Sequence, residues 1–331
     1  MTTTTYKYHL EKYSRTSKRT CPRCGRAKCF TLYLDSDNRP VGNEYGRCDH
    51  AGCGYFLYPT ADATPTAAPI VTNQQPPIYY TKDEVKKFRP FEMDNALSRY
   101  LAKRFMDVDR LKSVFRDYCI GSTEDGIIFW QIDETNKIHR GKVMWYTDNG
   151  HRLKLTRPDG SEYGKVQMMW KYLNHDRDRE PEMCFFGQHL VTLYPDKPIA
   201  IVESEKTALV MSYLYPQFVW LATLSLNNFQ AYRLNFLKDT KRSVMVFPDA
   251  DGTAQWMQKT AAISDVTGLK MCANLFAYVF GDGKQDVADI VFEGYFANDC
   301  NFPAIFDHYI REYQRRNYEN IFTDYLKDHP L

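Results

Sequence analysis

Two close pairs of cysteines constrain this chain more than any other feature. Cys21-Pro22-Arg23-Cys24 is followed, 23 residues on, by Cys48-Asp49-His50-Ala51-Gly52-Cys53. Thiol pairs about twenty residues apart have the spacing of a structural zinc site, in which each pair comes from a tight knuckle turn and four thiolates close a tetrahedron. Gly25 and Gly54 stand one residue after each pair, where a knuckle needs φ > 0. Between the pairs, Phe30-Thr31-Leu32-Tyr33-Leu34 alternates as a strand does. The pattern predicts a zinc ribbon with Zn²⁺ held by Cys21, Cys24, Cys48 and Cys53. That zinc is structural, since four protein ligands leave no open position. Cys29 is expected to face the small core. His50 is expected in solvent unless it replaces Cys48 or Cys53. The other four of the nine cysteines, Cys119, Cys184, Cys272 and Cys300, are scattered, as small buried residues are. Disulfides are not expected in the cytoplasm, the expected location.

The net charge of +2 hides an asymmetry. Residues 1–53 carry ten Lys/Arg against five Asp/Glu, a charge of +5, which leaves −3 for the remainder. A basic head on a mildly acidic body suits a nucleic-acid contact at one end, and it also suits simple solubility. Arg23, Arg26, Lys28 and Arg47 surround the knuckles as candidate phosphate contacts. Tyr33, Tyr45 and Tyr55 either stack on bases or pack the ribbon's core. Five of the sixteen prolines lie between Pro59 and Pro77 among Thr, Ala, Gln and Asn, which reads as a linker. No apolar run approaches the 18 residues of a membrane span, and the start carries no secretory pattern, so no membrane partner is expected.

Beyond the linker the pattern turns helical from Thr81, with Leu97, Leu101 and Phe105 at helical spacing. Asp107 is placed to cap a second helix carrying Leu111, Val114, Phe115 and Tyr118, ended by Gly121. From Gly126 to Tyr146 two β runs flank a turn at Asp133–Lys137. From Lys197 to Phe280 apolar strands alternate with helical stretches, the mark of a parallel sheet. Pro198–Val202 ends in Glu203, and Ser243–Pro248 ends in Asp249-Ala250-Asp251. A third expected strand, Leu275–Phe280, precedes a stretch containing Asp286 and Asp289. The carboxyl ends of parallel strands are where open α/β sheets bind ligands. Two aspartates two apart in extended chain share a face, which suits oxygen coordination of Mg²⁺. Each acidic residue also suits a helix N-cap, but three acidic strand ends in register favour the metal.

Here the sequence resembles a family. Strand–Glu–helix in Val202-Glu203-Ser204-Glu205-Lys206-Thr207-Ala208, then Phe247-Pro248-Asp249-Ala250-Asp251-Gly252, then a later acidic stretch, is similar to the Toprim pattern of primases, topoisomerases and related nucleases. Trp170-Lys171-Tyr172-Leu173-Asn174-His175 and Phe185-Phe186-Gly187-Gln188-His189-Leu190 resemble the stretches that precede Toprim in bacterial replicative primases. The order from Cys21 to Asp289 resembles primase-like proteins of bacterial mobile elements. The resemblance implies an α+β chain with an α/β Toprim core. Its parts would be a zinc ribbon (1–58), linker (59–80), helical segment (81–122), β-rich basic primase-like subdomain (123–196), parallel-sheet Toprim domain (197–295) and carboxyl-terminal helices (296–331).

The resemblance also implies roles. Glu203 would act as general acid/base or position metal-bound groups. Glu203, Asp249, Asp251, Asp286 and Asp289 would hold catalytic Mg²⁺ or Mn²⁺. Lys171 would contact nucleotide or template phosphates, as would Arg140 and Lys142, though each also reads as an ordinary solvated cation. Lys206 would pair with Glu203 or bind phosphate. The implied activity is primer synthesis on single-stranded DNA from NTPs, with a separate replicative helicase as partner, because the chain holds no Gly-x-x-x-x-Gly-Lys-[Ser/Thr] of its own. No nucleophilic tyrosine stands out to suggest a topoisomerase. The alternatives are a non-catalytic DNA-binding protein on a degenerate Toprim platform, which Ser204 in place of the usual glycine suggests, and a Toprim nuclease.

Overall fold

Four short antiparallel strands, β1 (Tyr8–Leu10), β2 (Phe30–Asp35), β3 (Gly46–Cys48) and β4 (Phe56–Leu57), pair in sequence order to form the first sheet. They belong to a computed structural model that describes residues 7–12, 17–50, 53–60, 63, 76–89, 92–296 and 311. Its two compact units are 1–77 with 176–179, and 78–175 with 180–331. The linker residues 61–62 and 64–75, and the tail expected to be helical, lie outside the described residues apart from Arg311.

In the first unit every residue of β2 is buried. One side of the strand, Phe30 and Leu32, packs with Cys21, Cys29 and Cys48, while Tyr33 on the other side packs with Tyr8 and Val41. Two such small clusters bury too little apolar surface for stability without a crosslink. Tyr33 is therefore a core residue, and Tyr55 packs on Phe30 at 5.7 Å between ring centroids.

The second unit begins with three helices, α1 (Lys82–Lys86), α2 (Ala96–Arg104) and α3 (Val108–Asp117). Thr81 and Glu84 close a reciprocal capping box on α1, Asn95 caps α2, and Asp107 accepts from the Arg110 N–H to cap α3. Gly121 does not end α3, as its sequence suggested. The helix closes earlier through Cys119 at φ +55°, with the Ile120 N–H bonding to the Phe115 carbonyl, and Gly121 opens the next strand. A cysteine in the left-handed C′ position carries no signal that a sequence reader would recognise.

An antiparallel sheet follows, in the order β10-β7-β6-β5. It is made of β5 (Gly121–Thr123), β6 (Gly126–Ile132), β7 (Ile138–Met144) and β10 (Val166–Met168). The excursion between β7 and β10 is a separate hairpin of β8 (Lys154–Thr156) and β9 (Glu162–Gly164). Strand alternation divides the sheet's side chains. Ile127, Phe129, Met144 and Tyr146 join the main core, whereas Ile128, Trp130, Val143 and Trp145 form a second core on the other face with Tyr80 and Met169. Short helices α4 (Met169–Tyr172) and α5 (Leu190–Leu193) lead to the third sheet.

That sheet is parallel, in the order β12-β11-β13-β14. Its strands are β11 (Ile199–Val202), β12 (Val219–Ala222), β13 (Val244–Val246) and β14 (Met271–Ala273). Its connections include α6 (Glu205–Leu214) and α7 (Thr253–Thr267), with α8 (Phe276–Phe280) and α9 (Val287–Phe296) after β14. Three of its four strands are buried throughout, so they read as continuous apolar runs. The expected strand Leu275–Phe280 is instead α8. A short apolar run carries no period to separate strand from helix, and this one keeps Tyr278, Val279 and Phe280 exposed, which an inner parallel strand does not allow. The true fourth strand is the shorter Met271–Ala273. Among the described residues no helix is long and apolar enough to cross a membrane.

Candidate functional site

The first unit gathers its four cysteines as the spacing requires. The Sγ atoms of Cys21, Cys24, Cys48 and Cys53 all lie within 4.8 Å of one another, with Cys21–Cys53 at 3.8 Å and Cys24–Cys48 at 4.0 Å. A tetrahedron with arms of about 2.3 Å has edges of about 3.8 Å, so the four thiols fit zinc. Both knuckles use left-handed glycines, Gly25 at φ +67° and Gly54 at φ +60°. The His50 N–H donates to Cys48 Sγ at 3.4 Å, so His50 contributes its backbone to the knuckle. Burial pushes the Cys48 and Cys53 thiols up to about 11. At Cys21 burial is outweighed by the Cys24 and Arg23 N–H groups and neighbouring thiols, which bring it down to about 7. Cys29 is buried beside them, its Sγ 3.5 Å from Cys48 Sγ and donating to the Arg26 carbonyl. Arg23, Arg26, Lys28 and Arg47 are all exposed, and Arg47 stands 3.5 Å from Asp49.

In the second unit the parallel sheet delivers acidic residues where β11 and β13 end. Glu203 follows β11 and Asp249 follows β13 by three residues. Asp286 and Asp289 open α9. Burial first, and then the charges of Asp286, Glu203, Asp251 and Asp289, push the Asp249 carboxyl up to about 8. Glu203 is raised by burial and by Asp251, against the pull of Arg152 and the Trp256 indole N–H. Asp286 is raised by burial and by Asp289, against a hydrogen bond from the Thr207 hydroxyl and the charge of Lys206. The five carboxyl groups therefore share one electrostatic field.

They do not share one role. Asp286 accepts from the Asp289 N–H at 2.9 Å and Asp289 accepts from the Asp286 N–H at 3.3 Å, a reciprocal cap on α9. Neither Asp249 nor Ser204 makes a side-chain capping bond. Asp249 and Asp251 do not lie in one extended run. Residues Ala250–Gly252 form a 3₁₀ turn, tied by the Thr253 hydroxyl to the Asp249 and Ala250 carbonyls, and Asp251 is exposed. Among the described residues no three carboxylates bring ligand atoms within 4.8 Å of one another.

The expected cations take varied positions. Lys142 on β7 forms an ion pair with Glu205 at the first position of α6, where Glu205 is only 2% exposed. Arg140 donates to the Pro181 carbonyl at 3.0 Å and stands 3.4 Å from Glu180. Lys171 is exposed on α4, 3.4 Å from Gln167. Lys206 lies 3.8 Å from Asp289 rather than on Glu203. Thr207 and Trp256 hydrogen-bond to the acidic group, and Arg152 acts on Glu203 through its charge, none of them foreseen. Thr207 sits inside the quoted motif at the third position of α6, a readable hint, but nothing in the sequence marks Arg152 or Trp256.

Residues 95–250 match the family described as a domain of unknown function, DUF6371, and residues 6–66 match a zinc beta-ribbon finger family. No curated protein matches the sequence. Three solved structures are similar in fold. The zinc-binding and RNA polymerase domains of the Aquifex aeolicus primase are 12% identical, with 92% of this chain and 80% of that chain covered and a TM-score of 0.45. The RNA polymerase domain of Mycobacterium tuberculosis primase DnaG is 10% identical, covering 68% and 79%, with a TM-score of 0.43. The primase fragment of the bacteriophage T7 primase-helicase protein is 13% identical, covering 84% and 94%, with a TM-score of 0.36. At such identities and TM-scores the chemistry has to be argued from the residues.

Proposed function

We propose that this chain is a Toprim-type, primase-like nucleotidyltransferase that acts on single-stranded DNA, with the zinc ribbon as a DNA-binding module. The observation that carries this reading is the gathering of Glu203, Asp251, Asp286 and Asp289 around a buried Asp249, whose carboxyl is pushed up to about 8 by burial first and by those charges next. Grouping like charges costs stability unless something offsets them. An all-oxygen donor set of this sign suits a hard divalent cation, Mg²⁺ or Mn²⁺, held by Asp249 and Asp251 with Glu203 and the α9 aspartates around it. When bound, such an ion neutralises charge on the transferring phosphoryl group.

The chain's own residues supply the rest. Burial raises the Glu203 carboxyl above its ordinary value, the direction that makes it a stronger acceptor for the proton of an attacking hydroxyl. The Trp256 indole N–H donates to this carboxyl, and the charge of Arg152 favours its ionised form. Thr207 and Lys206 orient Asp286 and Asp289 from the first turns of α6. The exposed Arg23, Arg26, Lys28 and Arg47 give the ribbon phosphate contacts. NTPs are the substrates this chemistry takes, and mobile-element replication, with a separate helicase, is the setting it suits.

A second reading makes the protein a DNA-binding platform without catalysis. It is favoured by the open spacing of the carboxylates and by the exposed Asp251 on its 3₁₀ turn. Primer synthesis on single-stranded DNA with Mg²⁺ and NTPs separates the two. The catalytic reading expects product from the wild type and a loss of two or more orders of magnitude in Glu203→Ala. Absence of wild-type product, or equal product from Glu203→Ala, leaves the platform reading standing. Degradation of the template instead identifies a nuclease.

A further inference from the structure

The zinc ribbon holds a fifth thiol that its four metal ligands do not account for. Cys29 immediately precedes β2 and is buried, as is Cys48 on β3. Phe30 pairs with Cys48 across the β2–β3 ladder, and the Asp49 N–H donates to the Cys29 carbonyl at 2.8 Å, so the backbone sets Cys29 diagonally beside Cys48. Their Sγ atoms lie 3.5 Å apart. The ligand pairs Cys21–Cys53 and Cys24–Cys48 lie at 3.8 Å and 4.0 Å. A small buried residue of any kind would satisfy packing here. A thiol in van der Waals contact with a ligand sulfur brings chemistry that packing does not need.

The orientation of this thiol is specific. The Cys29 S–H donates to the Arg26 carbonyl at 3.1 Å, so a sulfur lone pair rather than the proton faces Cys48. The turn before it is held in place: Lys28 sits at φ +58°, a conformation costly for a lysine, and the Cys29 N–H is tied to the Arg19 carbonyl at 3.1 Å. With zinc in the site, Cys21, Cys24, Cys48 and Cys53 are bound as thiolates. Of the five thiols only Cys29 then keeps its proton and an unbound sulfur beside a ligand. An S–S bond is about 2.0 Å long, so Cys29 and Cys48 need about 1.5 Å of approach, less than either ligand pair. Cys24 is exposed, which opens the cluster to small solutes.

We infer that Cys29 is the resolving thiol of a hydroperoxide-sensitive pair with Cys48. The Cys48 thiolate attacks one oxygen of hydrogen peroxide, the O–O bond breaks, and hydroxide leaves with Cys48 as a sulfenic acid. The Cys29 sulfur then attacks the Cys48 sulfur, the S–OH bond breaks, and the hydroxyl leaves as water with the Cys29 proton. The two sulfurs give up two electrons, and the peroxide takes them. The disulfide removes Cys48 from the ligand set, so the ribbon loses the crosslink on which its two small clusters depend. A dithiol reductant restores both thiols, whereas without Cys29 the sulfenic acid goes on to the irreversible sulfinic acid. Disulfides in a reducing compartment are of this transient, sensing kind. The pair lies in the ribbon alone, goes beyond the catalytic reading, and stands whether or not the carboxylates turn over NTPs.

The test uses the zinc-loaded full chain, titrated with hydrogen peroxide. Zinc release is followed with a metallochromic dye, free thiols are blocked with N-ethylmaleimide, and disulfides are mapped by mass spectrometry without reduction. Arg23, Arg26 and Arg47 separate Cys21, Cys24, Cys29 and Cys48 onto different tryptic peptides, and fragment ions tell Cys48 from Cys53. The expected result is a Cys29–Cys48 disulfide that rises in step with zinc release. After dithiothreitol and added zinc, the wild type should recover its metal. Cys29→Ser should bind zinc as the wild type does before oxidation, then recover about threefold less of it afterwards, with Cys48 found as the sulfinic acid. The wild-type disulfide map needs no variant, and circular dichroism checks that Cys29→Ser folds. Zinc release with Cys29 still open to maleimide, or disulfides confined to the four zinc ligands, would overturn the inference. So would full recovery of zinc by Cys29→Ser.

Discussion

Asp249→Asn is the most informative single change in the acidic group, because it removes a charge while keeping the side chain's size. The Asp249 carboxyl ionises at about 8 in the folded chain, whereas an unfolded aspartate ionises near 3.9. Between those values the native state holds a proton that the unfolded state has released. Stability must therefore fall as pH rises across this window, and the loss is complete above about pH 8. Four pH units at about 1.4 kcal/mol each set an upper bound near 6 kcal/mol. Neighbouring carboxyl groups relax part of the strain, so about 2–4 kcal/mol is the working expectation. For a unit of this size that is roughly 4–16 °C in Tm.

The assay is thermal unfolding from pH 4 to 9 in buffer without added divalent cation, reading the wild-type and variant difference so that other groups cancel. Near pH 4 both side chains are neutral and the two proteins should melt together. At pH 9 Asp249→Asn should be the more stable. Mn²⁺ should then raise the wild-type Tm at pH 8, by the linkage between binding and folding, and leave the variant nearly unmoved. A variant less stable than wild type at pH 9, or a difference that does not change with pH, would refute the argument that burial and neighbouring charge together penalise the ionised Asp249 carboxylate.

Two other perturbations follow from the same geometry. Lys142→Ala leaves Glu205 buried without its partner and should cost about 3–5 kcal/mol by chemical denaturation, while the double variant Lys142→Met/Glu205→Gln should recover most of that loss. A stable Lys142→Ala protein with weakened DNA binding would instead make Lys142 a phosphate contact. Cys48→Ser removes one of the four zinc ligands, so the metal content of about one zinc per chain should fall, with early unfolding of the ribbon followed by proteolysis. Zinc retained at full stoichiometry would overturn the assignment of Cys48.

Which parts of this structure could be read from the sequence depends on whether the signal is local. The zinc knuckles are local: two cysteines, a turn and a left-handed glycine lie within five residues in the first and seven in the second, so Cys21, Cys24, Cys48 and Cys53 were legible with their geometry. The caps at Thr81 and Asp107 are local in the same way. Leu275–Phe280 shows where this fails, because its identity as α8 depends on what covers it and not on its own pattern. The acidic group lies between these cases. Each carboxylate could be named from its place after a strand, but the division of labour among them could not. Asp286 and Asp289 use hydrogen bonds to cap α9, and Asp251 is exposed on its 3₁₀ turn. Asp249 makes no capping bond and feels four like charges.

The Lys142–Glu205 pair extends this point. In the sequence Lys142 lies in a basic stretch, where it reads as a phosphate contact or a solvated cation, and Glu205 lies in the strand–Glu–helix motif 63 residues on. Strand alternation on β7 turns Lys142 toward the parallel sheet, and the first turn of α6 turns Glu205 to meet it. Two charges that would each cost several kcal/mol if buried alone are tolerable only together. A basic residue that seemed to face nucleic acid is thus a neutralising partner within the fold. Any phosphate contact of the second unit is better sought at exposed cations such as Lys171 than at those whose charge the fold already uses.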